Sequence, residues 1–339
     1  MRKVAKFSSF DREALFRNTA AKIGLSEGIV EKDFWVCFIL DYLFYDSPWR
    51  HNFAFKGGTS LSKAYNLIER FSEDVDLILD WTVLGYEADA PLKITSNNKM
   101  EQFKKDCMER FNGFLLQDFI PRTNRDIKEL LGKEELFSLS NEVDGPVVLF
   151  NYPSIFRDLA LVPNIRLEIG PLAAWTPTQK VLIVPYIAEQ YPALFDNSGT
   201  SILTTTAERT FWEKVTILHA EAHRDPNDPE HAFTPARYSR HYYDLYKMAS
   251  TPIKKSALAE TQLLRSVANF KDKFYHSKRA RYDLAKPGSL KLLPAPHNEN
   301  VLRKDYEAMR SMIYGNYPSY EDVIRVLKSL EDEINSLSK

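Results

Sequence analysis

Hydrophobic and polar positions follow two different periods along the first 80 residues. Segments with an apolar residue at every third or fourth position are followed by short segments in which every second residue is apolar. The predicted elements are helices over 9–23 and 28–45, a strand over Phe53–Phe55, a helix over Thr59–Arg70 and a strand over Glu73–Asp80.

The rest of the chain changes from mixed to purely helical spacing near residue 200. It predicts a helical region from about 98 to 138, strands over Val147–Tyr152, Asn164–Ile169 and Lys180–Tyr186, and helices over Thr205–His223, over Arg240–Met248 and from Ser319 onward. The loop Asp196–Thr200 is rich in turn-forming residues. We therefore predict an α/β domain over 1–200, a mixed sheet flanked by helices, and a mainly α-helical domain over 201–339.

Composition excludes several classes of protein. The 339 residues carry 45 basic and 46 acidic side chains, as is usual for a globular protein. Cys37 and Cys107 are the only cysteines, too few for a disulfide framework or a four-cysteine metal site. The start of the chain lacks the apolar core of a signal peptide, and the apolar stretch Phe34–Phe44 is short and interrupted by Asp41. We expect a cytoplasmic protein with no membrane span.

A glycine pair lies at a predicted strand-to-helix junction, in the sequence Lys56-Gly57-Gly58-Thr59-Ser60. Two glycines let the backbone approach a ligand closely, and a helix start presents free N–H groups to an anion. The hydroxyl groups of Thr59 and Ser60, with Lys63 one turn later, would extend this candidate phosphate site. A plain helix cap explains the same short sequence equally well.

An Asp-x-Asp pair begins sixteen positions after Gly58. Strand alternation places Asp74 and Asp76 on one face, together with Ser72, and leaves apolar residues on the other face. Two neighbouring carboxylates repel each other, and their hard oxygen atoms suit Mg²⁺ or Mn²⁺. The alternative interpretation is a solvent-exposed strand face that is acidic without binding a metal.

A glycine cradle, one helix and then Asp-x-Asp resembles the layout of polymerase-β-like nucleotidyltransferases, which usually add a third carboxylate from a later strand. Glu168 lies in the apolar strand Asn164–Gly170, with Arg166 on the same face. A carboxylate there needs a metal or a cationic partner, because burial without one is costly. An ion pair between Arg166 and some acidic residue remains an equal alternative.

The resemblance extends to the AbiEii/AbiGii-type nucleotidyltransferases, the toxins of abortive-infection and toxin–antitoxin systems. It rests on the segments Val30–Trp35, Lys56–Ser60, Arg70–Leu77, Phe211–Lys214, Tyr243–Tyr246 and Leu302–Met309. Here Arg240 is followed by His241, where the family often has aspartate. The match spans most of the chain, and the cradle with Asp-x-Asp is its most specific part.

The resemblance implies roles for individual residues. Ser72 and Gly57–Ser60 would hold the triphosphate of an NTP substrate, and Asp74 and Asp76 would ligate the metal. Lys214 would neutralise phosphate, and Asp244 would act near the metal or the acceptor, so the helical domain would contribute both to the cleft. Either Glu168 or Asp244 would be the third functional carboxylate.

A basic stretch over 271–304 bears on the acceptor. It holds nine basic and three acidic residues, a net charge of +6, interleaved with aromatic residues such as Tyr275 and Tyr282. Such a composition suits a phosphate backbone and stacked bases, although a solvated helix face with a few core aromatics has the same composition. His219 and His223, one helical turn apart, additionally have the spacing of zinc ligands but lack the His-Glu-x-x-His pattern.

From these residues and the resemblance we predict a Mg²⁺-dependent nucleotidyltransferase. It would move a nucleotidyl group from an NTP to a hydroxyl of RNA, such as a tRNA 3′ end, as the toxin of a toxin–antitoxin or phage-defence system with a possible cognate antitoxin. Two alternatives stay open at this point. The acceptor could be a small molecule or a protein, or the chain could be a nucleotide-binding sensor without catalysis.

Overall fold

The computed structural model describes residues 1–72, 74–142, 145–156, 162–172, 176–228 and 230–337. The chain divides into two compact units, of which the first contains Met1–Ala64 and Ser72–Thr205. The second contains Tyr65–Phe71 and Thr206–Lys339. Glu73, at the start of one predicted strand, lies outside the described residues.

A seven-stranded mixed sheet forms the centre of the first unit. Its strands are β1 (Phe53–Lys56), β2 (Asp74–Leu79), β3 (Phe137–Glu142), β4 (Gly145–Phe150), β5 (Ile165–Gly170), β6 (Thr178–Ile183) and β7 (Thr200–Thr205). They are arranged in the order β3-β4-β5-β2-β1-β7-β6. Strand β2 pairs in parallel with β5, and β1 with β7, whereas the other neighbours are antiparallel. The predicted mixed sheet is confirmed.

Helices flank this sheet. They are α1 (Arg2–Ala5), α2 (Ser9–Ile23), α3 (Glu27–Asp41), α4 (Gly57–Lys63), α5 (Ala90–Lys93), α6 (Asn97–Phe114), α7 (Ile120–Leu131) and α8 (Tyr186–Gln190). Every residue of α3 from Val30 to Leu40 is buried, so this helix is enclosed by protein on all sides. Within the described residues, no helix combines the length and the apolar character needed to cross a membrane.

The second unit is helical in its described part. Its α-helices are α9 (Ala207–Ala222), α10 (Ser239–Ala249), α11 (Pro252–Ala259), α12 (Thr261–Phe274), α13 (Glu299–Ala308) and α14 (Tyr320–Ser336). Helix α9 packs against α10, α11 and α12, and α10 also packs against α13 and α14. The expectation of a mainly helical C-terminal part is confirmed.

Two strands escaped the sequence patterns. Strand β7 reads Thr-Ser-Ile-Leu-Thr-Thr, and its buried threonines look polar in sequence although the strand lies between β1 and β6. Strand β3 falls at the end of the region that we predicted to be helical as far as residue 138. The first unit consequently extends to Thr205, five residues beyond the expected boundary at residue 200.

The predicted helix over Thr59–Arg70 is also shorter than expected. Helix α4 ends at Lys63, and Tyr65–Phe71 belongs to the second unit. Asn66 takes a positive φ of 50°, a backbone conformation that cannot continue a right-handed helix. Arg70 therefore lies in an extended bridge with Ile313 and not on a helix.

Candidate active site

A polar surface covers part of one face of the sheet in the first unit. In the parallel pair β2–β5, Asp74 lies opposite Arg166 and Asp76 lies opposite Glu168. In the antiparallel pair β1–β2, Lys56 lies opposite Asp76. Because register partners point to the same side of a sheet, the structure brings these five side chains onto one face.

Apolar packing on the opposite face of β2 holds Asp74 and Asp76 on the polar face. Val75, Leu77 and Leu79 alternate with the aspartates along β2, and none of them has measurable exposure to solvent. A shift of the strand by one residue would bury both carboxylates in an apolar core and expose these three side chains. The hydrophobic core thus determines which face carries Asp74 and Asp76.

Arg166 connects the carboxylates on this face. In its guanidinium group, Nε lies 3.1 Å from Oδ1 of Asp74 and Nη2 lies 3.3 Å from Oε1 of Glu168. It also donates two hydrogen bonds, of 2.6 and 2.9 Å, to Glu142 on β3. These contacts raise the pKa of Arg166, led by the hydrogen bonds to Glu142, and lower the pKa of Glu142. The predicted Arg166 ion pair exists, and Glu142 was missed because β3 was not predicted.

The electrostatics of Glu168 indicate an excess of negative charge. Burial raises the pKa of the Glu168 carboxyl, and the negative charges of Asp76 and Asp74 raise it further, while Arg166 opposes them. Among the described residues, no three aspartate, glutamate, histidine or cysteine side chains are already grouped as a metal site. The oxygen donors of Asp74, Asp76 and Glu168 nevertheless fit a hard divalent cation in chemistry and charge.

The glycine loop between β1 and α4 lies directly against Asp76. Gly57 has a positive φ of 78°, which L side chains rarely adopt. A Cβ atom at this position would lie 1.9 Å from Oδ2 of Asp76 and 2.5 Å from its Cγ. Only glycine therefore allows the backbone to approach the carboxylate this closely.

The two hydroxyl groups of the loop have structural partners. Thr59 donates from Oγ1 to the backbone oxygen of Ser72 at 3.2 Å and to that of Asp74. Ser60 donates to the backbone oxygen of Gly57 at 2.8 Å. Both side chains are buried. Thr59 fastens the loop to the start of β2, and Ser60 stabilises the loop itself.

Lys214 and Asp244 form an ion pair inside the second unit, and Arg70 also pairs with Asp244. Asp244 is fully buried and binds Arg70 through both oxygen atoms, at 2.6 and 2.8 Å. Its Oδ2 also lies 2.8 Å from Nζ of Lys214, which in turn contacts Nδ1 of His241 at 2.9 Å. Helix α9 positions Lys214 and helix α10 positions His241 and Asp244 one turn apart.

Burial and the neighbouring charges shift the pKa values of the residues in this buried cluster. Burial by itself would raise the pKa of Asp244, but the positive charges of Arg70 and Lys214 outweigh it and hold that pKa well below its ordinary value. Burial lowers the pKa of Lys214 in spite of Asp244. Burial and the nearby Lys214 charge keep His241 neutral, with its pKa well below 6.5. A neutral His241 can accept the Lys214 hydrogen bond through Nδ1.

The family model of the nucleotidyl transferase AbiEii toxin, type IV toxin–antitoxin system, matches residues 39–329. The matched range includes the glycine loop, the Asp-x-Asp strand, Glu168, Lys214 and Asp244. This chain belongs to the AbiEii toxin family. It is accordingly a nucleotidyltransferase, and its family implies an antitoxin counterpart and a nucleotide substrate.

Comparison of this AbiEii-family chain with solved structures gives a similarity to MenT4, a nucleotidyltransferase toxin from Mycobacterium tuberculosis H37Rv. The two share 15% sequence identity with a TM-score of 0.46, over 96% of this chain and 98% of that chain. No curated protein sequence matches the chain.

Lys63 of this AbiEii-family chain lies at the end of α4 and has a buried partner. Its ammonium group pairs with Asp33 of α3 at 2.7 Å, and both side chains are at least nine-tenths buried. It also lies over the ring of Tyr186, and Asp33 accepts a 2.8 Å hydrogen bond from the Tyr186 N–H. The positive charge is thus neutralised in the interior, where the ion pair fastens α4 to α3.

Replacing Lys63 by methionine is expected to lower the free energy of unfolding by about 3–5 kcal/mol, because it leaves Asp33 buried without its cation. The double variant Asp33→Asn/Lys63→Met should regain much of that loss, since neither charge remains. Urea unfolding of both variants measures these values. If Lys63 instead binds the triphosphate, the double variant would fold well and show a raised KM for NTP.

The candidate zinc pair on α9 is excluded by its hydrogen bonds. Nδ1 of His219 accepts from the Lys291 N–H at 3.1 Å, and Nε2 lies 3.0 Å from the Arg281 backbone oxygen, to which it donates. No ring nitrogen of His219 is left to ligate a metal. His219 is fully buried and fastens the segment after α12 to α9.

We expect His219 to make folding sensitive to mild acid. Burial lowers its pKa from 6.5 to about 4, although the Arg281 carbonyl opposes that shift. Between these values the unfolded chain binds a proton that the folded chain rejects, so stability is complete above pH 6.5 and falls as the pH approaches 4. The loss should be about 2–3 kcal/mol.

Urea unfolding of wild type and His219→Gln at pH 7 and pH 5 tests this expectation. The difference between the two pH values should shrink in the variant, whatever its stability at pH 7. His51→Gln is the matched control, because His51 is exposed to solvent and should leave the pH dependence unchanged. An unchanged pH dependence in His219→Gln would contradict the assignment.

Proposed function

We propose that this chain transfers a nucleotidyl group from an NTP to a hydroxyl group of RNA, with tRNA 3′ ends as the first acceptor to test. The observation that carries the proposal is the register of β2 and β5. It sets Glu168 beside Asp76, with Asp74 two residues away on the same face and the Gly57 backbone against Asp76. Three oxygen donors thus lie next to a backbone loop that only glycine can form.

In the proposal, Asp74, Asp76 and Glu168 hold a divalent cation, Mg²⁺ or Mn²⁺. A single guanidinium group, that of Arg166, contacts Asp74, Glu142 and Glu168, and Asp76 adds a fourth carboxylate to this face. Lys56, opposite Asp76, adds a second positive charge, and the remaining excess of carboxylates over basic side chains supports cation binding. When bound, such a cation would neutralise charge on the triphosphate and orient it.

We assign the third functional carboxylate to Glu168. Asp244 already binds Arg70 and Lys214 with its two oxygen atoms, and these cations hold its pKa low, so it is a poor proton acceptor. Glu168 is more exposed and lies in register with Asp76. In this proposal Asp244 positions the Lys214 ammonium group.

The remaining predicted contacts of the nucleotide follow from the resemblance. The backbone of Gly57 and Gly58, together with Lys56 and Ser72, would hold the triphosphate, and Lys214 would offset charge on the leaving pyrophosphate. Helix α4 has only seven residues, so the proposal relies on the backbone of the glycine loop and not on the helix dipole.

An RNA acceptor is supported by the basic stretch 271–304. Tyr275 of this stretch is 53% exposed, and Lys278, Lys286 and Lys304 lie at the surface. Arg279 is paired with Asp228 at 2.9 Å, so part of the positive charge is neutralised within the second unit. An RNA acceptor requires affinity that falls steeply with salt, whereas a small-molecule acceptor does not.

The test uses purified protein, Mg²⁺, each radiolabelled NTP in turn and total cellular RNA, beside the Asp74→Asn/Asp76→Asn variant. Label on a tRNA-sized band that is absent with the variant supports the proposal and identifies the base. Label on a protein or a small molecule overturns the RNA acceptor. Binding of NTP without label on any acceptor would favour a nucleotide sensor.

A further inference from the structure

A cavity of about 500 Å³ lies within the second unit, and its lining includes none of the residues used above for catalysis. Residues of helix α12 line one side, and residues of Tyr282–Pro287 and Leu337 line the rest. We call the segment 281–292, which contains Tyr282–Pro287, the pocket loop. A volume of this size is in the range of small-molecule sites and can hold one nucleotide.

The pocket loop is held in place by side chains of α9 and α14. His219 fixes both Arg281 and Lys291, as described above. Asn335 accepts hydrogen bonds of 3.0 Å from the N–H groups of Gly288 and Leu290 and donates one of 2.9 Å to the Leu290 carbonyl.

Glu331 is the third side chain that anchors the loop, since it accepts a 2.6 Å hydrogen bond from the N–H of Leu292. The loop is therefore anchored at its start and along its second half by three polar side chains. A wall with this many anchors is formed before any ligand binds, which lowers the entropic cost of binding.

The charge of the lining favours an anion. Arg265 and Lys286 line the cavity, and neither forms an ion pair with an acidic residue in the described part of the chain. Asp283 also lines it, but both of its oxygen atoms are bound by Arg281, at 3.0 and 3.1 Å. The cavity thus keeps a positive charge that a phosphate group can neutralise.

The uncharged lining favours a base. The ring of Tyr282 can stack on a base, and the side-chain amides of Gln262 and Asn269 offer donors and acceptors to a base edge. The buried floor is apolar and consists of Leu264, Ala268 and Ala285. The aromatic ring and the amides together suit a base, and the positive charge suits the phosphate of the same nucleotide.

We propose that this cavity binds one nucleotide of single-stranded RNA and so holds the acceptor strand on the second unit. The proposal rests on the RNA acceptor of the proposed function. A nucleotide within a strand is favoured over a free one because five lining residues between Tyr282 and Pro287 belong to the basic stretch 271–304. This stretch also carries Lys278, Lys291 and Lys304 at the surface, which offers positive charge to further phosphates.

The test measures binding of a fluorescein-labelled seven-nucleotide single-stranded RNA by anisotropy, without NTP or metal. The double variant Arg265→Gln/Lys286→Gln should bind about tenfold more weakly, and the slope of log Kd against log salt should fall by about 1.4. The matched control Lys133→Gln/Lys255→Gln removes the same charge from exposed positions outside the cavity and should change Kd less than twofold.

A second variant tests the base contact without changing charge. Asn269→Leu should weaken RNA binding about threefold to fivefold and leave the salt slope unchanged, because it removes only an amide. Equal losses in the pocket and control variants, or no loss in the pocket variants, would overturn the proposal.

Competition by AMP, CMP, GMP and UMP separates the two sources of a nucleotide. We expect displacement of the RNA only at concentrations about a hundredfold above its Kd, since a monophosphate lacks the flanking contacts. Displacement at concentrations equal to that Kd would identify a site for free nucleotides and overturn the RNA assignment.

The same variants separate this proposal from the proposed function. If Arg265→Gln/Lys286→Gln labels tRNA with unchanged kcat and KM, the cavity proposal fails while the nucleotidyl transfer to RNA stands. If wild type labels no RNA but binds the seven-nucleotide strand through the cavity, the acceptor assignment fails and the cavity assignment stands.

Discussion

Asp74→Asn/Asp76→Asn is expected to lower the rate of nucleotidyl transfer about a thousandfold or more. The substitutions keep the shape of both side chains and remove the two negative charges that the proposal assigns to the metal. Val75, Leu77 and Leu79 hold the strand in register from the opposite face, and Arg166 retains its two hydrogen bonds to Glu142. The fold should therefore persist while transfer is lost.

Initial rates of label transfer, with circular dichroism of each variant, measure this loss. Asp118→Asn is the control, because Asp118 is an exposed aspartate of the same unit, in the π-helical turn Leu115–Phe119 between α6 and α7, and should leave the rate unchanged. A double variant that is well folded and retains more than a tenth of the wild-type rate would contradict the assignment of Asp74 and Asp76.

Gly57→Ala is expected to reduce transfer about a hundredfold or more, because a misplacement of about 1 Å at a reacting centre can cost that much. The new Cβ atom would lie 1.9 Å from Oδ2 of Asp76, closer than any real contact allows. Either the loop or the Asp76 carboxylate must move, and both are part of the proposed site. The rate of label transfer at saturating NTP measures the effect.

Gly24→Ala provides a closely matched control for this substitution. Gly24 also has a positive φ, of 72°, but no atom lies within 4 Å of the position that its Cβ would take. Both variants carry the strain of alanine in a left-handed conformation, about 1–2 kcal/mol. Only Gly57→Ala displaces Asp76, so equal activity of the two variants would show that the contact has no role in catalysis.

Local patterns in the sequence were sufficient for much of the fold. Alternation along Asp74–Asp80 predicted both the strand β2 and the face that carries its aspartates, because an apolar core admits one register. The helix predicted over 28–45 contains the apolar stretch Phe34–Phe44, and the part of it that lies in α3 is buried from Phe34 to Leu40. Strand β7 was missed because the burial of its threonines depends on its place between β6 and β1, and β1 lies far away in the sequence.

The partners of charged side chains could not be predicted in the same way. Lys63 follows the glycine loop by one turn, which suggested a phosphate ligand, yet it pairs with Asp33, thirty residues earlier in the chain. Arg70 was placed on a helix, but it binds Asp244 from an extended segment. An ion pair forms between charged groups that the fold brings within about 4 Å of each other. The spacing of residues along one helix or strand does not tell which distant residue will be the partner.

The sequence by itself determined the mixed sheet with flanking helices, the helical second part, the nucleotidyltransferase family and the shared face of Asp74 and Asp76. These features follow from hydrophobic periodicity and from short sequence motifs, both of which involve residues close to one another in the chain. The tertiary structure decided that Glu168 lies beside Asp76, that Gly57 touches Asp76, and that Lys214, Asp244 and Arg70 form one buried cluster. Strand pairing and packing between distant segments create these contacts, and the lowest free energy of the whole chain selects them.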